Sequence, residues 1–248
     1  MKVEISVIIP FYNNFNLMKK AINSVLNQTY KKYEIIIIYD NPKIRDNLIN
    51  LKKFINKKSK IKLLINKSNI GAGYSRNKGI KLAKGKFIAF LDSDDVWKKN
   101  KLSFQRNYMK KNKLMASHTS YDIVDINNKF IKKRVAKNLS YSDLINSCDV
   151  GLSTVMINRK ILVKNILFPG LRTKEDYILW LKIAKKGIIF YALKNTLTKW
   201  TRTPNSLSTS VFQKFKDAFT VYNKYEGYNF INTLIRVAIL SMNFLIKK

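Results

Sequence analysis

Phe87-Ile-Ala-Phe-Leu-Asp-Ser-Asp-Asp95 joins five apolar residues directly to three carboxylates. An apolar run without alternation suits a strand covered on both faces, as in a parallel sheet flanked by helices. Ligands of open α/β sheets bind beyond the carboxyl ends of such strands, which is where Asp92, Asp94 and Asp95 fall. No Lys or Arg stands between these carboxylates to neutralise them. A hard cation would relieve their repulsion, and Mg²⁺ or Mn²⁺ needs only one or two protein carboxylates when phosphate oxygens complete its octahedron. The structural alternative is that Asp95 caps a helix starting at Val96-Trp97 and the others are turn residues.

Upstream, the same logic repeats. Strands are predicted at Glu4–Pro10, Tyr33–Ile38 and Ile61–Ile65. Between them, Leu17, Ala21, Ile22, Val25 and Leu26, then Leu48, Leu51 and Ile55, recur at helical spacing, and a further helix is predicted near Tyr74–Ala83. Strands alternating with helices specify an α/β fold with a Rossmann-like, mostly parallel central sheet flanked by helices. Phe11–Asn13, Asp40 and Asp92–Asp95 then meet at one crevice. Asn69-Ile-Gly-Ala-Gly73, followed by Arg76 and Asn77, reads either as a loop offering N–H groups and a guanidinium to phosphate or base, or as a tight connection. No third glycine follows at the spacing of the dinucleotide fingerprint, which excludes a Rossmann dehydrogenase.

Downstream the pattern is less regular. Strands are expected near Met115–Ile126 with a turn at Asn127-Asn128, and a helix from about Lys174 to Lys185. Glu175-Asp176 opens that helix. Asp176 is either the partner of Thr173 in a capping arrangement or a general base able to take a proton from a hydroxyl. His118, in a strand with no acidic neighbour in sequence, reads as a buried, hydrogen-bonded residue. Phe230–Ile246 is apolar but interrupted by Asn232, Arg236, Ser241 and Asn243, which fits an interfacial amphipathic helix better than a membrane span. Ending in Lys247-Lys248, it would lie on an anionic membrane, pack on the core, or meet a second subunit. The expected division is residues 1–112 as a first, ligand-binding half, 113–226 as a second half of the same domain, and 227–248 as the terminal helix.

Composition sets outer bounds. A chain of 248 residues with 46% hydrophobic content supports one sizeable core. The single cysteine, Cys148, excludes an internal disulfide and a cysteine-rich zinc site, and fits a reducing cytoplasm. Met1–Pro10 reads straight into a strand, so no export leader is expected. The formal charge of +33 would attract polyanions, but the lysines are spread along the whole chain and no RNA platform or recognition helix accompanies them. No nucleic-acid partner is expected.

The set Ser6-Val-Ile-Ile-Pro-Phe-Tyr-Asn13, Ser24-Val-Leu-Asn-Gln-Thr29, Asn69-Ile-Gly71, Arg76-Asn-Lys-Gly79 and Phe90-Leu-Asp-Ser-Asp-Asp95 resembles the family 2 glycosyltransferases. Lys174-Glu-Asp-Tyr-Ile-Leu-Trp-Leu181 with Trp200, Arg202, Ser206 and Ser208 extends the resemblance over most of the chain, toward bacterial cell-envelope polysaccharide transferases. The resemblance implies a GT-A fold, a nucleotide-diphosphate sugar donor, a hydroxyl acceptor on a glycan or lipid-linked glycan, and inversion by single displacement. It places Pro10 and Tyr12 beside the base, Asp40 and Arg76 on the nucleotide, Asp92 on ribose or metal, Asp94 on Mn²⁺ or Mg²⁺, and Asp176 as catalytic base. One departure stands out: where the family has Asp-Asp-Gly-Ser, this chain has Tyr39-Asp40-Asn41-Pro42. Only Asp40 matches, so the base preference is open, and a non-catalytic nucleotide-sugar binder is the rival reading. The implied setting is the cytoplasm, on the inner face of the cell membrane.

Overall fold

A computed structural model describes residues 2–163, 166–203 and 211–246. Of the motif residues above, Ser206 and Ser208 lie outside the described residues, as do Lys247 and Lys248.

The four apolar runs of the first half pair in parallel. Strands β1 (Ile5–Phe11), β2 (Tyr33–Tyr39), β3 (Ile61–Ile65) and β4 (Phe87–Phe90) lie in the order β3-β2-β1-β4. Every residue of β1 and β2 is buried, as apolar runs between two helical layers demand, and the polar exceptions satisfy each other, Ser6 Oγ donating to Glu34 Oε1 at 2.7 Å. Helices α1 (Phe15–Leu26), α2 (Arg45–Ile55) and α3 (Ala72–Leu82) make the crossovers. The register aligns Phe11 with Tyr39 and Tyr39 with Ile65, while Ile8 pairs with Phe90. Tyr12, Asp40 and Asp92 therefore leave the sheet along one edge.

The second half extends the same sheet. Strands β5 (Val96–Trp97), β6 (Ala116–Val124), β7 (Phe130–Arg134), β8 (Met156–Asn158) and β9 (Phe190–Thr201) join it, with β8 antiparallel beside β4, then β6, β9 and β5, and β7 pairing with β6. Val96-Trp97 is thus not a helix start. It pairs with Lys199 and Thr198 of β9, and the next helix, α4 (Lys101–Lys111), begins later. Cross-strand pairing to a partner a hundred residues away overrides any local capping preference.

Side-chain alternation along β1 sends Ile5, Val7, Ile9 and Phe11 into one core with α1 and α4, and Ile8 into a second with α3 and α6 (Glu175–Ala184). In α6 every residue from Tyr177 to Leu181 is buried, and Trp180 packs among Phe90, Phe168 and Phe190 with ring centroids 6.2, 6.3 and 5.3 Å away. Helix α3 sits so close to β1 that a Cβ at Gly79 would stand 2.6 Å from Ile8 Cγ2. A one-turn α5 (Tyr141–Leu144) lies between β7 and β8, and beyond β9 come α7 (Val211–Thr220), a π-helical turn at Val221–Tyr225, and α8 (Phe230–Ile246), whose Val237 and Leu240 join the second core. Among the described residues no helix is long and apolar enough to cross a membrane.

Candidate active site

The edge beyond β2 is dominated by Asp40. Its Oδ1 accepts from Asn66 Nδ2 at 2.7 Å and from the Ile70 N–H at 2.9 Å, and its Oδ2 accepts from the Gly71 N–H at 2.8 Å. Gly71 precedes α3 with φ +86°, a conformation that glycine adopts without penalty, and the anionic Asp40 lies against the positive end of that helix. The carboxylate of Asp40 is thus spent on holding the Asn69–Gly71 loop, and it reaches the crevice through that loop. Tyr39, the residue that departs from the family pattern, is buried. Its ring stands 5.4 Å from Phe11 and its hydroxyl donates to the Ile44 carbonyl, shaping the segment that follows. Asn41 is buried as well, and its Nδ2 has no hydrogen-bond partner among the described residues. Pro10 is buried within β1, whereas Tyr12 just beyond is 51% exposed.

The edge beyond β4 holds the acids. Arg76 of α3 is buried and forks between two carboxylates, Nη2 donating to Asp92 Oδ1 and Nη1 to Glu175 Oε1, each at 2.7 Å. Burial alone would lower the guanidinium's pKa, but the charges of Asp92 and Glu175 outweigh it and hold the group firmly protonated. The Asp92 N–H donates to Ser153 Oγ at 3.0 Å, and the Ser153 carbonyl accepts from Trp97 Nε1 at 2.7 Å. Asp95, fully buried, accepts from the Thr201 N–H at 2.9 Å, so the acidic loop is pinned to the end of β9. Burial, then the charge of Asp92, pushes the Asp94 carboxyl up to about 7, and burial, then the charges of Asp94 and Asp92, pushes Asp95 well above the usual carboxylate range.

Asp176 is not part of a capping box. Lys174, in the left-handed region with φ +62°, precedes α6 without a side-chain cap, and the N–H and hydroxyl of Thr173 instead donate to Asp217 Oδ2 on α7 at 2.9 and 2.7 Å. Among the described residues, the N–H of its neighbour Tyr177 donates to Asp176 Oδ1 at 2.8 Å. Burial, then the charge of Glu175, raises its carboxyl to about 7, within the range where a carboxylate both holds and releases a proton near neutrality.

The fold therefore brings Arg76, Asp92 and the Glu175-Asp176 pair together, with Asp94 beside them, and sets Pro10, Tyr12 and Asp40 further along the same edge. His118 stands apart: it is buried, its Nε2 lies 2.7 Å from the Lys137 carbonyl, and burial lowers its pKa. Glu175, Ser153, Thr201 and Asn41 carry no sequence signal for their places here. Among the described residues no three His, Cys, Asp or Glu side chains gather to hold a metal unaided. The oxygens of Asp92 and Asp94 fit a hard divalent ion that takes its remaining ligands from a diphosphate, and such an ion would offset the charge of Asp92 that, after burial, raises Asp94.

Comparison with known proteins names the class. The model of glycosyl transferase family 2 matches residues 6–164, and the chain belongs to that family. The putative teichuronic acid biosynthesis glycosyltransferase TuaG of Bacillus subtilis is 32% identical over 92% of this chain and 90% of its own length. The UDP-Glc:alpha-D-GlcNAc-diphosphoundecaprenol beta-1,3-glucosyltransferase WfgD of Escherichia coli is 36% identical over 88% of this chain and 84% of its own. An uncharacterized glycosyltransferase of Rickettsia bellii is 36% identical over 75% of this chain, which spans only 27% of that relative. The GT-A fold is shared with Staphylococcus aureus TarS 1-349 in complex with UDP-GlcNAc, at a TM-score of 0.71 and 20% identity over 89% of this chain and 67% of that one. It is shared too with the Pyrobaculum calidifontis mannosyltransferase PcManGT bound to GDP-Man and Mn²⁺, at a TM-score of 0.71 and 14% identity over 92% and 66%.

Proposed function

We propose that this glycosyltransferase moves a sugar from a nucleotide-diphosphate donor to a hydroxyl of a glycan or lipid-linked glycan, with inversion, in the synthesis of a cell-envelope polysaccharide. The observation that carries the reading is the fork of Arg76, which ties Asp92 beyond β4 to Glu175 beside Asp176 at 2.7 Å each. One buried cation thereby sets the spacing between the donor-side acids and the base.

In this reading residues 1–112 bind the donor and 113–226 the acceptor. Tyr12 and the unpartnered amide of Asn41 face the base, while Asp40 positions the Asn69–Gly71 loop. Asp92 and Asp94 hold Mg²⁺ or Mn²⁺, which when bound neutralises charge on the leaving diphosphate. Asp176 takes the proton of the acceptor hydroxyl as that oxygen attacks the anomeric carbon and the sugar–phosphate bond breaks. Its carboxyl, raised to about 7 with Tyr177 N–H as the hydrogen-bond donor shown, is basic enough for the task. The names of TuaG and WfgD, and the UDP and GDP sugars in TarS and PcManGT, support the donor and acceptor classes. The setting proposed is the inner face of the cell membrane, where a lipid-linked acceptor is presented.

The test is a transfer assay with Asp176→Asn, beside donor-induced thermal protection by UDP and GDP sugars with Mn²⁺. Transfer should fall by roughly 10²–10⁴-fold, the usual contribution of general-base catalysis, while donor protection persists. Undiminished transfer by this variant would remove Asp176 from the mechanism, and absence of protection by every nucleotide sugar would sink the donor class.

A further inference from the structure

Helix α8 is apolar on both sides. Thr233, Val237 and Leu240 turn into the protein, yet Ile231, Ile235, Met242 and Leu245 on the other side are exposed, Ile231 to 69%. Helix α7 runs beside it in the opposite direction, since the Phe219 ring lies 5.7 Å from that of Phe230 near one end and Lys214 Nζ lies 6.0 Å from the Phe244 ring near the other. It adds Phe212, 78% exposed, and Phe215 to the outward surface. Folded domains seldom leave so many large apolar side chains together in water without a partner.

The charge around this hairpin selects the partner. From residue 211 to the end of the chain the acids are Asp217 and Glu226. Both are turned inward, Asp217 accepting from Thr173 and Gln213, and Glu226 pairing with Lys185 at 2.7 Å and accepting from the Tyr141 hydroxyl. Against them stand Lys214, Lys216 and Lys224, with Lys247-Lys248 following in the sequence, while Arg236 is engaged by Asn146 Oδ1 at 2.7 Å. A second copy of a chain with formal charge +33 would be repelled from this face, whereas an anionic surface with an apolar interior complements both its charge and its side chains.

We propose that the outward faces of α7 and α8 form a docking surface for an anionic lipid bilayer, with Phe212, Phe215, Ile231, Ile235, Met242 and Leu245 inserted at the headgroup boundary. The hairpin lies in the plane of the bilayer and does not span it. This deepens the reading of a lipid-linked acceptor, on which its purpose rests. Lipid binding is measured without donor or acceptor, so its failure is distinguishable from failure of transfer.

The test is co-sedimentation of the full chain with phosphatidylcholine vesicles, with and without about 30% phosphatidylglycerol, since lysines near an anionic surface each add to binding. Partition into the anionic vesicles should be at least ten-fold stronger than into neutral ones and should weaken as salt rises. The exposed-site variants Ile235→Glu with Met242→Glu, and separately Phe212→Ser with Phe215→Ser, should each lose about ten-fold while keeping the parent circular dichroism and melting temperature. The proposal is overturned if the parent ignores anionic vesicles, if both variants bind as the parent does, or if light scattering shows a dimer that Met242→Glu dissolves with no accompanying lipid binding.

Discussion

Asp40 and Asp176 both stand where the carboxyl edge of the sheet meets a helix N-terminus, yet the protein treats them differently. Asp40 accepts three N–H donors, from Asn66, Ile70 and Gly71. Among the described residues Asp176 accepts one, from its neighbour Tyr177, and its carboxyl is pushed up by burial and by Glu175. Residue type and position alone do not separate a carboxylate used as scaffold from one left able to take a proton. The number of donors aimed at each does.

The comparison breaks first, if it breaks, at Asp40. Asp40→Ala strips a charged acceptor from three buried or half-buried donors and should cost about 3 kcal/mol in a urea titration, against under about 1 kcal/mol for Asp176→Ala. Equal losses would erase the distinction. Arg76→Lys should come next, at about 2 kcal/mol with a matching fall in transfer, because an ammonium does not fork between Asp92 and Glu175 as the guanidinium does.

A smaller effect is expected from pH. Asp94 and Asp176 have carboxyls raised from 3.8 to about 7, so the native chain holds these protons more tightly than the unfolded one. The stability they contribute is full below about pH 4 and is lost as pH rises through about 7. Melting temperature should therefore decline from pH 5 to pH 8, with a shallower decline in the Asp94→Asn, Asp176→Asn double variant and partial recovery on adding Mn²⁺ at pH 8. The mildest change is Asn41→Ala, which should raise the donor KM by roughly five-fold, about 1 kcal/mol, with kcat unchanged if its free amide meets the base. An unchanged KM would assign Asn41 to the scaffold beside Asp40.

Much of this was legible in the sequence where burial is continuous. The runs Ile35–Ile38 and Phe87–Leu91 announce parallel strands because nothing polar survives between two helical layers. The placement of Asp92 at a strand end followed. What stayed hidden depends on pairing over long distances. Val96-Trp97 carries no mark of its attachment to β9, and Arg76 reads equally well as a phosphate ligand until Glu175, far along the chain, arrives beside it. Thr173 at spacing three from Asp176 imitated a capping box, yet the fold gives Thr173 to Asp217. A local pattern yields to a distant partner whenever that partner offers a charged, buried hydrogen bond.

The bond from Thr173 to Asp217 also imposes an order of events. The acids beyond β4 wait for Ser153 and Thr201, and the segment leading into Asp176 waits for a residue later still, Asp217. On a chain emerging from the ribosome, the parallel strands and the Asp92 loop are all synthesised before Asp217 appears. The lead-in to Asp176 is therefore the last of these segments to meet its anchor, and the two acidic stretches can take their final places only once α7 has been made.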